Sequence, residues 1–240
     1  MGQGVNPVPF FWINNIMTEW KRKTKAKRFT SWQHLAKQTI SQEYSTLMSQ
    51  MHSDKATFGG DIKAFRVIDR LIIKYKIKSI IDYGCGKGDL MFNIREKYPK
   101  IEVFGFDPGN PDFAILPTKK YQMIITSDVM EHIEPRFLNN VLEHINSLFT
   151  DIGYFYIATS LSKKTLSNGR NAHLIVAGPD YWREKLEKKI DGKIIWEDIV
   201  ERSFTSKGNF GEVKLFGNYK MKKNKKFEAN KYYALVKKQT

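Results

Sequence analysis

Three glycines at two-residue intervals, in Asp82-Tyr83-Gly84-Cys85-Gly86-Lys87-Gly88-Asp89, stand directly between two apolar runs of different period. Before them, Ser79-Ile80-Ile81-Asp82-Tyr83 reads as a buried strand. After them, Leu90, Met91 and Ile94 begin a helix that Pro99 ends. A glycine loop in that position lets the backbone turn tightly and approach a ligand closely. The spacing narrows the ligand. A dinucleotide fingerprint has its third glycine three residues after the second, whereas Gly88 follows Gly86 by two. A phosphate-cradling loop needs Gly-Lys-Ser/Thr, which is absent.

The pattern continues as alternating strands and helices. Val103–Phe106 and Met123–Thr126 read as strands. Pro135 opens a helix bearing Phe137, Leu138, Val141, Leu142, Ile145 and Leu148. Tyr154–Ala158 is a strand, Pro179 opens a helix through Ile190, and Ile194–Trp196 and Tyr232–Val236 are the last strands. Such alternation predicts a mostly parallel sheet with helices on both faces. About a dozen residues join the second strand to the third, near the minimum for a crossover with a helix. The sheet is therefore expected to be trimmed at this edge, with Phe113–Leu116 at most a short strand.

Upstream, Trp32, Leu35, Tyr44, Leu47, Met48 and Met51 recur near helical spacing, with Ser31 as a cap. A second helix is expected over Asp61–Lys76, after a turn at Thr57–Gly60. The domain reading is residues 1–60 as a basic, helical extension packing on the core, and 61–240 as the functional domain.

Asp107 ends the second strand, nineteen positions after Gly88. A carboxylate there accepts hydrogen bonds from both ribose hydroxyls of an adenosine-containing ligand. After the third strand, Asp128, Glu131 and His132 fall at i, i+3 and i+4, on one face if that turn is helical. His173 follows the next strand in a polar stretch rich in turn residues. Cys85 reads as a small packing residue, and His144 as a residue of a helix surface; His34 and His52 have no chemical company in the sequence.

The blocks Ile81–Gly88, Gly105–Pro108 and Ser127–Ile133 together resemble the class I methyltransferases that use S-adenosylmethionine (SAM). The resemblance implies an α/β, Rossmann-like, seven-stranded sheet with an antiparallel last strand. It places SAM over Asp82, Gly84, Gly86 and Gly88, with Asp107 on the ribose and Asp128 beside the methyl. The trimmed stretch after Pro108 departs from that pattern and leaves Asp112 as a candidate adenine contact. D-x-x-E-H with a later histidine is similar to two narrower groups, the ubiquinone-biosynthesis O-methyltransferases and the small-RNA 2′-O-methyltransferases. Both carry E-x-x-E-H and a divalent metal; here the first carboxylate is Asp128, one methylene shorter. By that likeness Asp128, Glu131, His132 and His173 are metal-ligand candidates for Mg²⁺ or Mn²⁺, and His132, His173 and Glu131 are catalytic candidates.

The expected reaction is O-methylation of a hydroxyl on a small molecule. The first alternative is an RNA-directed 2′-O-methyltransferase. Its support is a net charge of +15 and the basic runs Lys21–Arg28 and Lys220–Lys226, which favour anionic partners such as nucleic acid. The second alternative is a SAM-binding module without catalysis. With one cysteine no internal disulfide forms, which points to a reducing, cytoplasmic compartment. The apolar stretch Val8–Ile13 is too short to span a bilayer.

Overall fold

The computed structural model describes residues 39–53, 64–200, 203–205, 215–216, 226–228 and 231–239. The basic run Lys21–Arg28, the Ser31 cap and the turn at Thr57–Gly60 lie outside the described residues, and so do the side chains of Lys220–Lys226. The compact unit containing the sheet begins at Ala36.

The five helices described are α1 (Gln42–Ser53), α2 (Phe65–Tyr75), α3 (Asp89–Lys97), α4 (Leu138–Leu148) and α5 (Pro179–Lys189). The main strands are β1 (Ser79–Tyr83), β2 (Glu102–Phe106), β3 (Tyr121–Ser127), β4 (Phe149–Ala158), β6 (Gly192–Val200) and β10 (Lys231–Lys238). They form one six-stranded sheet in the order β2-β1-β3-β4-β10-β6. The β1–β2, β1–β3 and β3–β4 ladders are parallel, and β10 runs antiparallel to both of its neighbours. Short strands β5 (Val176–Ala177), β7 (Ser203–Thr205), β8 (Leu215–Phe216) and β9 (Lys226–Glu228) pair as β5 with β8 and β7 with β9.

Among the described residues the sheet thus has six strands rather than seven. The missing one belongs at the β2 edge, where Phe113–Leu116 forms no strand. The link from Asp107 is spent on a local turn, in which Asp107 N–H donates to Phe113 O and Asn110 N–H to Asp107 O. Too few residues remain for a crossover helix and a further strand.

The sheet's two faces carry separate apolar layers. One holds Phe106, Ile124, Leu142, Ile145, Phe155 and Trp182 under α4 and α5. The other holds Ile68, Leu71, Ile80, Met91, Met123 and Tyr154 under α2 and α3. Each fully buried large side chain contributes roughly 1.5–3 kcal/mol of transfer free energy. The layers fix the strand register, so the carboxyl ends of β1, β2, β3 and β4 meet along one edge. Open α/β sheets bind ligands at such edges.

Several boundaries differ from expectation; β6, for one, runs over Gly192–Val200 rather than Ile194–Trp196. Pro135 starts a 3₁₀ turn, Pro135–Phe137, and the α-helix proper begins at Leu138. Strand β4 starts five residues earlier than Tyr154, because Gly153 is wedged between rings: a Cβ there would meet Phe155 at 2.8 Å and Phe149 at 3.1 Å.

Candidate active site

At that carboxyl edge lies a cavity of about 380 Å³. Its floor is the glycine loop. Gly84 donates its N–H to Phe106 O at 2.7 Å, which fastens the loop to β2. Its φ of +78° lies in the left-handed region, and an added Cβ would sit 2.5 Å from a methyl of Val129. Gly88, φ +83°, starts α3, where a Cβ would meet Phe113 at 2.8 Å. Only glycine suits both positions.

Asp107 binds the loop from the side. Its Oδ2 accepts the Gly86 N–H at 2.9 Å and its Oδ1 accepts the Gly109 N–H at 2.8 Å. Asn110 Nδ2 donates to Gly86 O at 2.7 Å, closing the clamp. Asp82 lies below. Burial, and the Asp107 charge after it, push the Asp82 carboxyl up to about 7. Its Oδ2 has no hydrogen-bond partner among the described residues.

Asp128 turns the chain out of β3 with φ +60° and donates its N–H to Tyr156 O. Asp tolerates this left-handed conformation better than most residues. The 3₁₀ turn Met130–His132 then carries the Glu131 and His132 side chains. Glu131 is fully buried, and its Oε1 accepts the Ala158 N–H at 2.7 Å. Burial first, then Asp128, hold the Glu131 carboxyl well above the usual carboxylate range, and it hydrogen-bonds to Asp128. Burial also acts to raise Asp128, but His132, the Glu131 hydrogen bond and other charges bring it below its ordinary value. The pair therefore holds its proton on Glu131 and its charge on Asp128.

The two histidines stand edge to face, ring centroids 4.9 Å apart. His132 Nδ1 lies 2.7 Å from Ala172 O, and His173 Nδ1 lies 2.5 Å from Ser160 O. A carbonyl only accepts, so each Nδ1 carries the hydrogen and each Nε2 keeps its lone pair. Burial, followed by His173, holds His132 down to about 4, and burial lowers His173. Both rings are neutral near pH 7. One ligand atom from each of Glu131, His132 and His173 lies within 4.8 Å of the others; Asp128 stands outside that trio.

Asp82, Gly84, Gly86, Asp107, Asp128, His132 and His173 all line the cavity. Gly88 and Glu131 support it from behind, and Asp112 is exposed away from it. Two expectations change. His52 gives no sign in the sequence, yet it reaches the cavity with Nε2 3.9 Å from Asp107 Oδ2. His144 is half-buried rather than on the surface, its Nδ1 3.0 Å from the Tyr83 hydroxyl and its ring edge-on to Tyr83 and Phe106. The roof is also unannounced. Helix α1 lays Tyr44, Met48 and His52 over the cavity, and the 162–173 segment adds Ser162, Lys163 and Lys164.

Residues 60–202, more than half of the chain, match a family model described as a methyltransferase domain. The chain belongs to this methyltransferase family. With its mostly parallel sheet covered by helices it is a methyltransferase, an enzyme. The match does not single out the ubiquinone O-methyltransferase or small-RNA groups.

Three solved structures are similar to the chain. A SAM-dependent methyltransferase from Archaeoglobus fulgidus is 17% identical, with 75% of this chain and 95% of that one aligned at a TM-score of 0.45. The 1,6-didemethyltoxoflavin-N1-methyltransferase of Burkholderia thailandensis, solved with 1,6-didemethyltoxoflavin and S-adenosylhomocysteine, is 11% identical, with coverage of 100% and 94% and a TM-score of 0.46. The MccD protein is 11% identical, with coverage of 76% and 100% and a TM-score of 0.50. At 11% identity the likeness to the MccD protein is one of fold alone. No curated protein matches the sequence. Among the described residues, no helix is long and apolar enough to cross a membrane.

Proposed function

We propose that this methyltransferase acts on a hydroxyl of a small molecule, with SAM held over the glycine loop. What carries the reading is the pair of buried, neutral imidazoles in the wall of a cavity of about 380 Å³. That volume suits a small ligand rather than a long polymer. A neutral Nε2 accepts a hydroxyl proton as the oxygen attacks. Burial lowers both rings, and we assign the general base to His173, with His132 edge-on beside it.

The residues present fit SAM. Each Asp107 oxygen has one backbone donor and a further lone pair for a ribose hydroxyl. Asp82 Oδ2 lacks a partner, and an ammonium group supplies one. Gly84 and Gly86 bring the loop backbone itself to the cavity wall. When bound, SAM supplies a methyl on a positively charged sulfur, open to in-line displacement. The protein's part is alignment, removal of the hydroxyl proton at His173 Nε2 and exclusion of water under α1. Asp128, charged and beside both rings, steadies the imidazolium that forms.

A second reading has one observation in its favour. Glu131, His132 and His173 cluster closely enough to share an ion, and each Nδ1 is tied to a carbonyl as in histidine metal ligands. A divalent ion such as Mg²⁺ or Mn²⁺ would be held by these three, with Asp128 behind Glu131. It would lower the pKa of the acceptor hydroxyl. Turnover of a panel of small hydroxylated acceptors to S-adenosylhomocysteine (SAH) tests the main reading. SAM binding without turnover of any hydroxyl acceptor would overturn it.

A further inference from the structure

The strongest unused feature of the site is a hydroxyl. Tyr44 is buried in the cavity roof at 4% exposure, and its phenol oxygen has no hydrogen-bond partner among the described residues. Leaving a buried hydroxyl unpaired is costly, and folded proteins rarely do so without a ligand in view.

The ring has no freedom to seek a partner elsewhere. Ser41 Oγ accepts the Tyr44 N–H at 3.1 Å, and Ser41 N–H donates to Glu134 Oε2 at 2.7 Å. One turn on, Ser45 Oγ donates to Pro108 O at 3.1 Å; another turn on, Ser49 Oγ donates to Gly109 O at 2.7 Å. Glu43 pairs with Arg170 at 3.0 Å. Helix α1 is thus tied to the Asp107 turn on one side and to Glu134 and the 162–173 segment on the other. Between these ties Tyr44, Leu47 and Met48 pack with Leu166 and Ala172. Tyr44, Met48 and His52, four residues apart, bring one stripe of the helix to the cavity.

The charges around the oxygen select what it meets. Burial first, then Glu134, keep the phenol protonated, with Asp107 adding to the effect against Arg170. An anionic group entering this field is repelled, and a cationic one is attracted. The positively charged group this enzyme class brings to the cavity is the sulfonium of SAM.

We propose that the Tyr44 hydroxyl oxygen faces the sulfonium end of SAM, accepting the polarised C–H bonds around the charged sulfur and so distinguishing SAM from its demethylated product. This rests on the assignment of the cavity to SAM. The contact is made with the cofactor's charge and methyl, both of which leave in the reaction. SAH, neutral at sulfur, gains nothing from it.

Tyr44→Phe removes the oxygen and keeps the ring in its apolar cluster. Titration calorimetry with SAM and with SAH, on the full chain, reads the effect directly. SAM affinity is expected to fall about 3- to 10-fold, the range of one modest hydrogen bond, while SAH affinity moves less than about 2-fold. The thermal midpoint of the ligand-free variant should not fall, because an unpaired buried hydroxyl is gone. An equal loss for both ligands would place Tyr44 on a part that they share and overturn the proposal. Unchanged affinity for both would remove the hydroxyl from the cofactor altogether. A wild-type protein that binds neither ligand would overturn the SAM assignment itself, a different result from either.

Discussion

The Gly86 N–H donates to Asp107 Oδ2 at 2.9 Å, so the glycine loop and the carboxylate at the end of β2 form one unit. Asp107 is then a brace as well as the proposed ribose-binding group. Asp107→Ala removes acceptors for two backbone donors as well as for the ribose. Each charge-assisted hydrogen bond lost is worth roughly 1.5–3 kcal/mol as an upper range. SAM affinity measured by calorimetry should fall by at least about 10-fold. Unchanged affinity would remove Asp107 from the cofactor site.

Asp82 gives a pH signature. Its native pKa of about 7 stands above the unfolded value near 4, for reasons of burial first and Asp107 second. Between those values the native state holds a proton that the unfolded chain has released. This group's contribution to stability therefore falls as pH rises from roughly 4 to 7 and is level above that. Asp82→Asn should match the wild type near pH 4 and exceed it at pH 8, by up to about 4 kcal/mol as an upper bound. The same variant should bind SAM more weakly. Denaturant melts at the two pH values check the first part, and parallel profiles would contradict it.

Gly84→Ala tests the loop. Left-handed backbone costs a residue with a Cβ roughly 1–2 kcal/mol, and the new methyl would lie 2.5 Å from Val129. The thermal midpoint should drop by about 4–8 °C, taking roughly 2 kcal/mol for strain and overlap together. Adding Val129→Ala should restore only part of this, because the overlap goes and the backbone strain stays. Full recovery would mean that φ at this position costs nothing.

The glycine loop, Asp107 and the Asp128–His132 cluster were legible because each depends on short-range spacing next to a strand end. The strand and helix order was legible for the same reason. The roof was not. Tyr44, Met48 and His52 sit at helical spacing like any core stripe, and nothing local says that this stripe faces a cavity while Leu47 faces Leu166 and Ala172. The start of β4 was hidden because Thr150-Asp151-Ile152-Gly153 has turn composition, and only the flanking Phe149 and Phe155 rings explain the glycine. The sixth strand closes the count because a chain segment's length limits a crossover, but the turn that consumes it depends on Asp107 and Phe113 pairing through their backbones.

The roles of Glu131 and His173 separate the two chemical readings. In the metal-free reading Glu131 is a neutral acid that accepts the Ala158 N–H and hydrogen-bonds to Asp128. Glu131→Gln reproduces both contacts, since an amide oxygen accepts and an amide nitrogen donates. Its turnover should then stay within about 3-fold of the wild type, as expected when hydrogen bonds are kept. EDTA should also leave turnover intact. His173→Ala removes the base and should lower turnover by about 10²–10⁴, the usual worth of general-base catalysis. In the metal reading Glu131→Gln replaces an anionic ligand with a neutral one, so it and EDTA should both abolish turnover, and added Mn²⁺ should restore the EDTA-treated enzyme. The Glu131→Gln result decides between them, because the substitution keeps the hydrogen bonds and changes only whether a charge can form. A fully active His173→Ala enzyme would contradict both readings and remove that side chain from the chemistry.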